Sequence, residues 1–301
     1  HAVVATVEKP NVVGWFDYVC RAMELNQYSI AAAQPGLAIE RIRELQVFVP
    51  PEAIQQAIAT FLDEKTSTID EVIRKKERLL ELLAEQRAAL IHRAVTKGLD
   101  PGVEMRDSGV EWIQEYPARW VLKRLKFACV LQRGFDLPTD QRSDGQIPIM
   151  AGGGVSGFHD TAMVGPPGVV TGRYGTIGEV HLVEVPFWPL NTSLYVREFW
   201  GNSERFICYL LSMLPLKMFS GKSAVPGVDR NDLHTLMVAV PPRPEQDAIV
   251  KHLHKRLALV STAGEALQQQ ITYLHEYRQA LITAAVTGKL EIPSTEAPDA
   301  P

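Results

Sequence analysis

The sequence predicts a mixed α/β fold: a globular domain with a curled, glycine-punctuated sheet, plus two long helices forming an antiparallel coiled-coil spacer. Three observations predict it. A block of the chain repeats at a fixed offset of 191 residues, and each copy carries a long, helix-periodic stretch behind a Val-Pro-Pro tripeptide. Between those stretches glycines, prolines and aromatic residues cluster around short β-rich runs.

The repeat comes first, because it sets the domain boundaries. Val49-Pro50-Pro51 returns as Val240-Pro241-Pro242, Gln55 as Gln246, Ala57-Ile58 as Ala248-Ile249 and Leu62 as Leu253. Further on, Arg87 returns as Arg278, Ala89-Leu90-Ile91 as Ala280-Leu281-Ile282 and Ala94-Val95-Thr96 as Ala285-Val286-Thr287. Residues 49–99 and 240–290 share 17 identities in 51 positions. The register persists upstream, where Tyr18 meets Tyr209, Pro35-Gly36 meets Pro226-Gly227 and Leu45 meets Leu236. Residue 1 falls opposite residue 192. Residues 1–48 are therefore expected to be the tail of a first globular domain whose opening part, about 91 residues, is missing. The other segments are a first long helix in 49–99, a complete globular domain in 100–239, a second long helix in 240–290 and a disordered tail at 291–301.

In the first helix the apolar positions run Ile54, Ile58, Phe61, Ile69, Val72, Leu79, Leu83, Leu90 and Ala94. In the second they run Ile249, Leu253, Leu257, Val260, Leu267, Ile271, Leu274, Leu281 and Ala285. Steps of three, four and seven make a heptad-like seam. Ile58, Leu62, Leu83, Leu90, Ile249, Leu253, Leu274 and Leu281 are the expected seam and partner-facing residues. Pro50-Pro51 and Pro241-Pro242 hold an extended approach, and Gly98 and Gly288 are stop signals. Some 45 residues give a rod of about 65–70 Å at about 1.5 Å per residue.

In the globular stretch, 120–125, 168–171, 178–183 and 192–196 read as strands bounded by turn residues. Glu204 to Phe219 reads as a helix with Phe206, Ile207, Leu210, Leu211 and Leu214 on one face, and Pro215 counts against its last turn. Trp112, Trp120 and Trp188 read as core or domain–helix packing.

Composition bounds the function. An apolar fraction of 46% and a charged fraction of 22% match an ordinary soluble protein. Cys20, Cys129 and Cys208 form no C-x-x-C pair, so a disulfide framework or cysteine-built zinc site is not expected and a reducing cytoplasm is the default. No membrane span or signal peptide is read. The net charge of −4 argues, alone, against a nucleic-acid binder.

Several motifs, in order, resemble the specificity (S) subunits of type I restriction-modification systems. Asp107-Ser108-Gly109-Val110-Glu111-Trp112-Ile113, followed by Pro117 and Trp120, is similar to the opening of that family's target-recognition domain. The run 147–158, with Gly152-Gly153-Gly154 at its centre, resembles its P-x-x-G-G-x-G-x-x-G-Y segment. Thr171-Gly172-Arg173-Tyr174-Gly175-Thr176-Ile177-Gly178 and the later Asn191-Thr192 fit its R-x-G-x-x-G … N stretch. Both Val-Pro-Pro approaches and the Arg278 … Gly288 exit match its spacer helices. Departures are Glu52-Ala53-Ile54 where Pro-x-Glu-Gln is usual, and Lys97-Gly98 for the usual Gly-Lys.

The resemblance implies a non-catalytic reader of double-stranded DNA that recognises one half of a bipartite target. It also implies docking of two methyltransferase subunits and of the restriction/translocase subunits. S-adenosylmethionine, ATP and Mg would belong to those partners, and this chain would carry no cofactor or metal of its own. A rod of about 68 Å spans two turns of B-DNA, at about 34–36 Å per turn. Two rival readings stay open: a coiled-coil scaffold that binds protein only, and a half-subunit that homodimerises to rebuild two readers.

For DNA contact, Gly152, Gly153 and Gly154 can bring backbone N–H groups close to phosphates, with Ser156 and His159 adding hydrogen bonds; a plain tight turn is the alternative. Arg173 and Tyr174, beside Thr176, form a protruding Arg–aromatic pair suited to guanine O6/N7, or else a structural loop. Lys217, Lys222, Ser223 and Arg230 form a possible phosphate-gripping strip, and Arg133 is a weaker candidate. Catalytic motifs fail. Gly221-Lys222-Ser223 ends like a P-loop, but that motif needs glycine where Leu216 stands. His252 and His254 are two apart on a helix, face different directions and cannot share a metal in the i, i+4 manner. No methyltransferase tetrad or nuclease core is present. The charge is evenly spread, with 13 basic and 14 acidic residues in 101–240 and eight of each in 52–97. The isolated chain is therefore expected to bind DNA weakly and salt-sensitively.

Overall fold

The computed structural model describes residues 6–25, 42, 44–219 and 227–292. The chain divides into two compact units, one made of residues 1–83 and 262–301 and the other of residues 84–261.

The first unit contains a short helix, α1 (Val13–Ala22), with parts of the two long helices, α2 (Glu52–Lys97) and α5 (Arg243–Val286). The long helices have 46 and 44 residues, close to the length read from the periodicity. Each is followed by a glycine with left-handed backbone, Gly98 at φ 73° and Gly288 at φ 72°, the conformation that ends a helix at low steric cost. They run antiparallel, since Ile58, Ala59 and Leu62 pack with Ile282, Ala285 and Val286, while Ile69 and Ile73 pack with Ile271. Arg278 forms an ion pair with Asp70 at 3.0 Å, and Lys76 donates to Gln270 at 2.5 Å. Trp15, Tyr18 and Val19 of α1 complete the first cluster, and the Tyr18 hydroxyl donates to Asp63 at 2.7 Å.

The apolar seam differs from the expected one in part. Ile54, Val72 and Leu79 are exposed, and Leu83 and Leu90 are only half-buried. Where two apolar residues are adjacent, as Val72 and Ile73 are, periodicity alone does not choose between them. Packing selects Ile73.

The second unit carries the sheets. A ribbon pairs β1 (Met105–Asp107) with β2 (Glu115–Pro117), and β3 (Val121–Arg124) pairs with β11 (Met237–Val240). An antiparallel four-stranded sheet has β4 (Val130–Arg133), β10 (Ser193–Glu198), β7 (Gly168–Gly172) and β8 (Val180–Val183), in that order. A three-stranded sheet has β6 (Gly154–His159), β5 (Ile147–Ala151) and β9 (Trp188–Pro189), with β9 parallel to β5. The four strands read from the sequence exist with shifted ends: β3 and β8 are shorter than read, while β7 and β10 run on to Gly172 and Glu198. The helix read as 204–219 stops early: α3 is Glu204–Met213, and Leu214 turns extended (ψ 144°) because Pro215 follows it. A 3-10 turn then covers Leu216–Phe219.

The core of this unit sets α3 (Phe206, Ile207, Leu210, Leu211) against Leu131, Val169, Leu194 and Val196. The same cluster takes in Ile91, Ala94 and Val95 of α2 with Ile249 and Leu253 of α5. Ile249 and Leu253 thus serve the globular core as well as the helix pair. Trp120 is buried, and Trp112 and Trp188 are half-buried. Among the described residues no helix is long and apolar enough to cross a membrane.

Candidate nucleic-acid interface

The loop between β7 and β8 presents the most sharply defined surface group. Strand β7 is buried along its whole length and ends on Gly172, where the chain folds back. A Cβ at Gly172 would lie 2.2 Å from the Thr176 carbonyl oxygen, so only glycine permits that return. Both main-chain polar groups of Arg173 are held: its N–H donates to the Thr192 carbonyl and its own carbonyl accepts from Val228, each at 3.1 Å. The guanidinium lies over the Tyr174 ring, 4.7 Å from its centre. Tyr174 in turn bridges to Gly227, where a Cβ would come within 2.3 Å of the ring. The Arg173 guanidinium makes no ion pair or hydrogen bond with any described residue. A cation stacked on a pinned backbone, with no partner among the described residues, offers a planar hydrogen-bond fork.

The β5–β6 hairpin brings the glycine run to this loop. Gly152 is buried at the tip, and a Cβ there would meet the Thr176 Oγ1 at 2.3 Å and the Gly172 Cα at 2.7 Å. His181 shares a 3.2 Å hydrogen bond from Nε2 to the Gly152 carbonyl. The two segments singled out from the sequence, 152–156 and 173–176, are therefore joined through Gly152, Gly172 and Thr176. Gly153 is exposed, and Gly154 is half-buried with φ 107°. Ser156 is exposed at a bulge, its hydroxyl donating to the Ile149 carbonyl at 3.3 Å.

Other candidates are placed differently. His159 is 6% exposed: its Nδ1 accepts the Ser143 N–H at 3.1 Å and its ring stands edge-on to Trp188, so it belongs to the interior and not to a DNA-facing surface. Arg133 is half-exposed and paired with Asp136 at 3.1 Å, and Asp136 also accepts from Asn191. Arg230 opens α4 (Arg230–Thr235) and is exposed beyond the Asp229 cap. Lys222 and Ser223 lie outside the described residues, as does the side chain of Lys217. His234 of α4 accepts the β4 edge amide of Leu131 at 2.9 Å.

Sequence reading missed an aromatic surface at the other end of β4. Phe127 and Trp200 are both more than half exposed, with the Lys126 ammonium over Phe127 at 4.8 Å and the Trp200 indole N–H on the Lys126 carbonyl. Its only signal is the turn Trp200-Gly201-Asn202, with Trp200 at φ 50°. Burial pushes the Cys129 thiol up to about 12 and Cys208 up to about 11, so both are packing residues and not nucleophiles. No cluster of three or more metal-ligating side chains occurs among the described residues.

Comparison with known proteins adds the following. Residues 118–273 match the type I restriction modification DNA specificity domain. A 79-residue stretch, 25% of this chain, is 43% identical to the type I restriction enzyme EcoprrI specificity subunit of Escherichia coli, and it spans 20% of that protein. A chain from a structure of the assembly and conformational transition of the type I R-M system matches with a TM-score of 0.72 at 16% identity, covering 92% of this chain and 71% of that one. The HsdS subunit of Thermoanaerobacter tengcongensis matches with a TM-score of 0.50 at 16% identity, over 92% of this chain and 70% of its own. The type I S subunit of M. genitalium gives 0.50 at 17% identity, over 90% and 72%. At these identities the structural matches show a shared fold.

Proposed function

Because the chain belongs to the type I restriction modification DNA specificity family, we propose that the globular segment at 100–239 reads one half of a bipartite DNA target. The Arg173–Tyr174 pair carries this reading. Its backbone is held on both sides, its charge has no partner among the described residues, and the glycine hairpin sits against its loop. In this reading the guanidinium addresses a guanine edge in the major groove, and the exposed Gly153 and Arg230 meet the sugar–phosphate backbone. The duplicated 191-residue unit supports a two-reader design over a single reader, with the long helices setting the separation.

The long helices in this reading also dock two methyltransferase subunits, joined by the restriction/translocase subunits. On the parts of these helices in the first unit, Leu79, Leu82, Tyr273 and Tyr277 are exposed and are the groups such docking would use. Catalysis, with its S-adenosylmethionine, ATP and Mg, resides in those partners, and this chain supplies selection and scaffolding.

The test is Arg173→Ala in the assembled complex, against a cognate duplex found by mapping methylation in cells carrying the gene. The expected loss is roughly 1–3 kcal/mol, concentrated at one base position. Equal binding of cognate and scrambled duplexes by the unmutated complex overturns the reading. The same outcome would favour a protein-only scaffold.

A further inference from the structure

Strand β6 has an apolar outer face that the glycine hairpin does not explain. Val155 and Phe158 are each 58% exposed, an uncommon state for two large apolar residues on an edge strand. Three residues apart, they would point to opposite faces of a regular strand. The bulge changes that. Val155 pairs with Met150 and Phe158 with Pro148, residues two apart on β5, so both side chains stand on one face. The bulged Ser156 is held by the Ile149 carbonyl, which fixes the pair in place.

We propose that Val155 and Phe158 form an apolar clamp for the C5-methyl group of a thymine in the half-site this domain reads. The inference rests on the reading of 100–239 as a DNA reader. Three observations favour DNA as the occupant. The hairpin that carries both residues is packed at its tip, through Gly152, onto the loop that presents Arg173, so clamp and guanidinium belong to neighbouring segments of one unit. A two-stranded ribbon is one of the elements that the major groove admits, and the thymine methyl is its apolar mark. The exposed area of two such side chains is on the order of 200 Å², well under the roughly 800 Å² per partner of a stable protein interface.

Replacing thymine by uracil removes the methyl group and nothing else. The assembled complex is titrated with the mapped target duplex, with a scrambled duplex, and with duplexes in which each thymine of the half-site, on either strand, is singly replaced by deoxyuridine. One replacement is expected to weaken binding about fourfold, the equivalent of one buried methyl group at about 0.8 kcal/mol. Phe158→Ala and Val155→Ala should lose that difference while keeping the unmutated Tm, since both side chains are surface groups. No preference for target over scrambled duplex overturns the DNA reading and this inference together. Full target preference with every uracil duplex, a half-site without an A·T pair, or uracil sensitivity unchanged in both variants overturns this inference alone. A variant that loses its partner subunits while keeping the thymine–uracil difference does so too, and points to a protein-docking face.

Discussion

Gln55 and Gln246, 191 residues apart, hold the same three hydrogen bonds in the two units of the chain. Gln246 accepts the Ser203 N–H at 2.8 Å and donates to the Asn202 side chain at 2.7 Å and the Pro241 carbonyl at 2.9 Å. Gln55 accepts the Val12 N–H at 2.8 Å and donates to the Asn11 side chain at 3.1 Å and the Pro50 carbonyl at 2.8 Å. Every partner obeys the same offset. So do the short helices α1 and α3, each of ten residues. The amide ties the N-cap residue of a short helix to the proline approach of a long one, inside a buried site where each polar group is answered.

That arrangement predicts a large effect from a small change. Gln246→Ala leaves the Ser203 N–H and the Pro241 carbonyl without partners in a site where Gln246 is 1% exposed. A buried group left unsatisfied costs about 1–3 kcal/mol, so unfolding of the second unit should shift by about 2–4 kcal/mol in a denaturant titration. Gln55→Ala should do the same to the first unit. A change within about 0.5 kcal/mol would show that the network contributes nothing.

The glycines of the candidate interface make a graded series. Gly172→Ala drives a methyl group to 2.2 Å from a main-chain oxygen, and Gly152→Ala to 2.3 Å from the Thr176 hydroxyl. Gly153→Ala meets the Thr176 methyl at 3.3 Å and the Glu179 Oε2 at 3.9 Å, and Gly165→Ala meets nothing within 4 Å. DNA affinity of the assembled complex should fall at least tenfold for Gly172→Ala and also for Gly152→Ala, where the Thr176 hydroxyl can rotate away but the Gly172 Cα at 2.7 Å cannot. Gly165→Ala should bind within about twofold of the parent, and Gly153→Ala, whose backbone is read as facing a phosphate, should fall between these limits. Equal binding by all four would separate the Arg173 loop from DNA recognition.

Periodicity and punctuation made much of this fold legible. The long helices follow from the apolar spacing, their ends from Gly98 and Gly288, and the loop at 171–178 from its glycines. What escaped was decided by tertiary contact. Strands β5 and β6 are interrupted by a glycine run and a bulge, so neither alternation nor β-propensity marks them clearly. His159 follows that run and has a polar ring, which suits a surface contact equally well; only the Ser143 amide and Trp188 draw it inside. Arg133 reads as a free cation until the fold sets Asp136 beside it.

His234 makes the second unit sensitive to acid. Burial, then the nearby Arg230 and Lys126, hold its pKa below the ordinary 6.5, with Asp229 opposing them. The neutral ring also serves as acceptor for the Leu131 N–H. With the folded pKa depressed, the unfolded chain binds more protons once pH drops below about 6.5, so stability is lost from there down to the folded value and is constant above it. His234→Gln should flatten that part of the stability–pH profile between pH 7 and 5. A profile that keeps its full slope in the variant would assign the effect to another group.

The helix seam offers a last discrimination, between residues that periodicity alone treats alike. Leu62 and Leu253 are fully buried, the first against Ile282 and Ala285 and the second against the core of the globular unit. Leu62→Ala and Leu253→Ala should each cost about 2–5 kcal/mol, the range for an aliphatic core truncation. Val72 and Leu79 carry the same apolar spacing but stand exposed at 36% and 48%. Their alanine variants should stay within about 0.5 kcal/mol of the parent, and alanine improves helix propensity over valine at residue 72. Thermal unfolding of the four variants checks this directly. Losses at Val72 and Leu79 as large as those at Leu62 would mean that a surface exposed in the single chain is covered in solution.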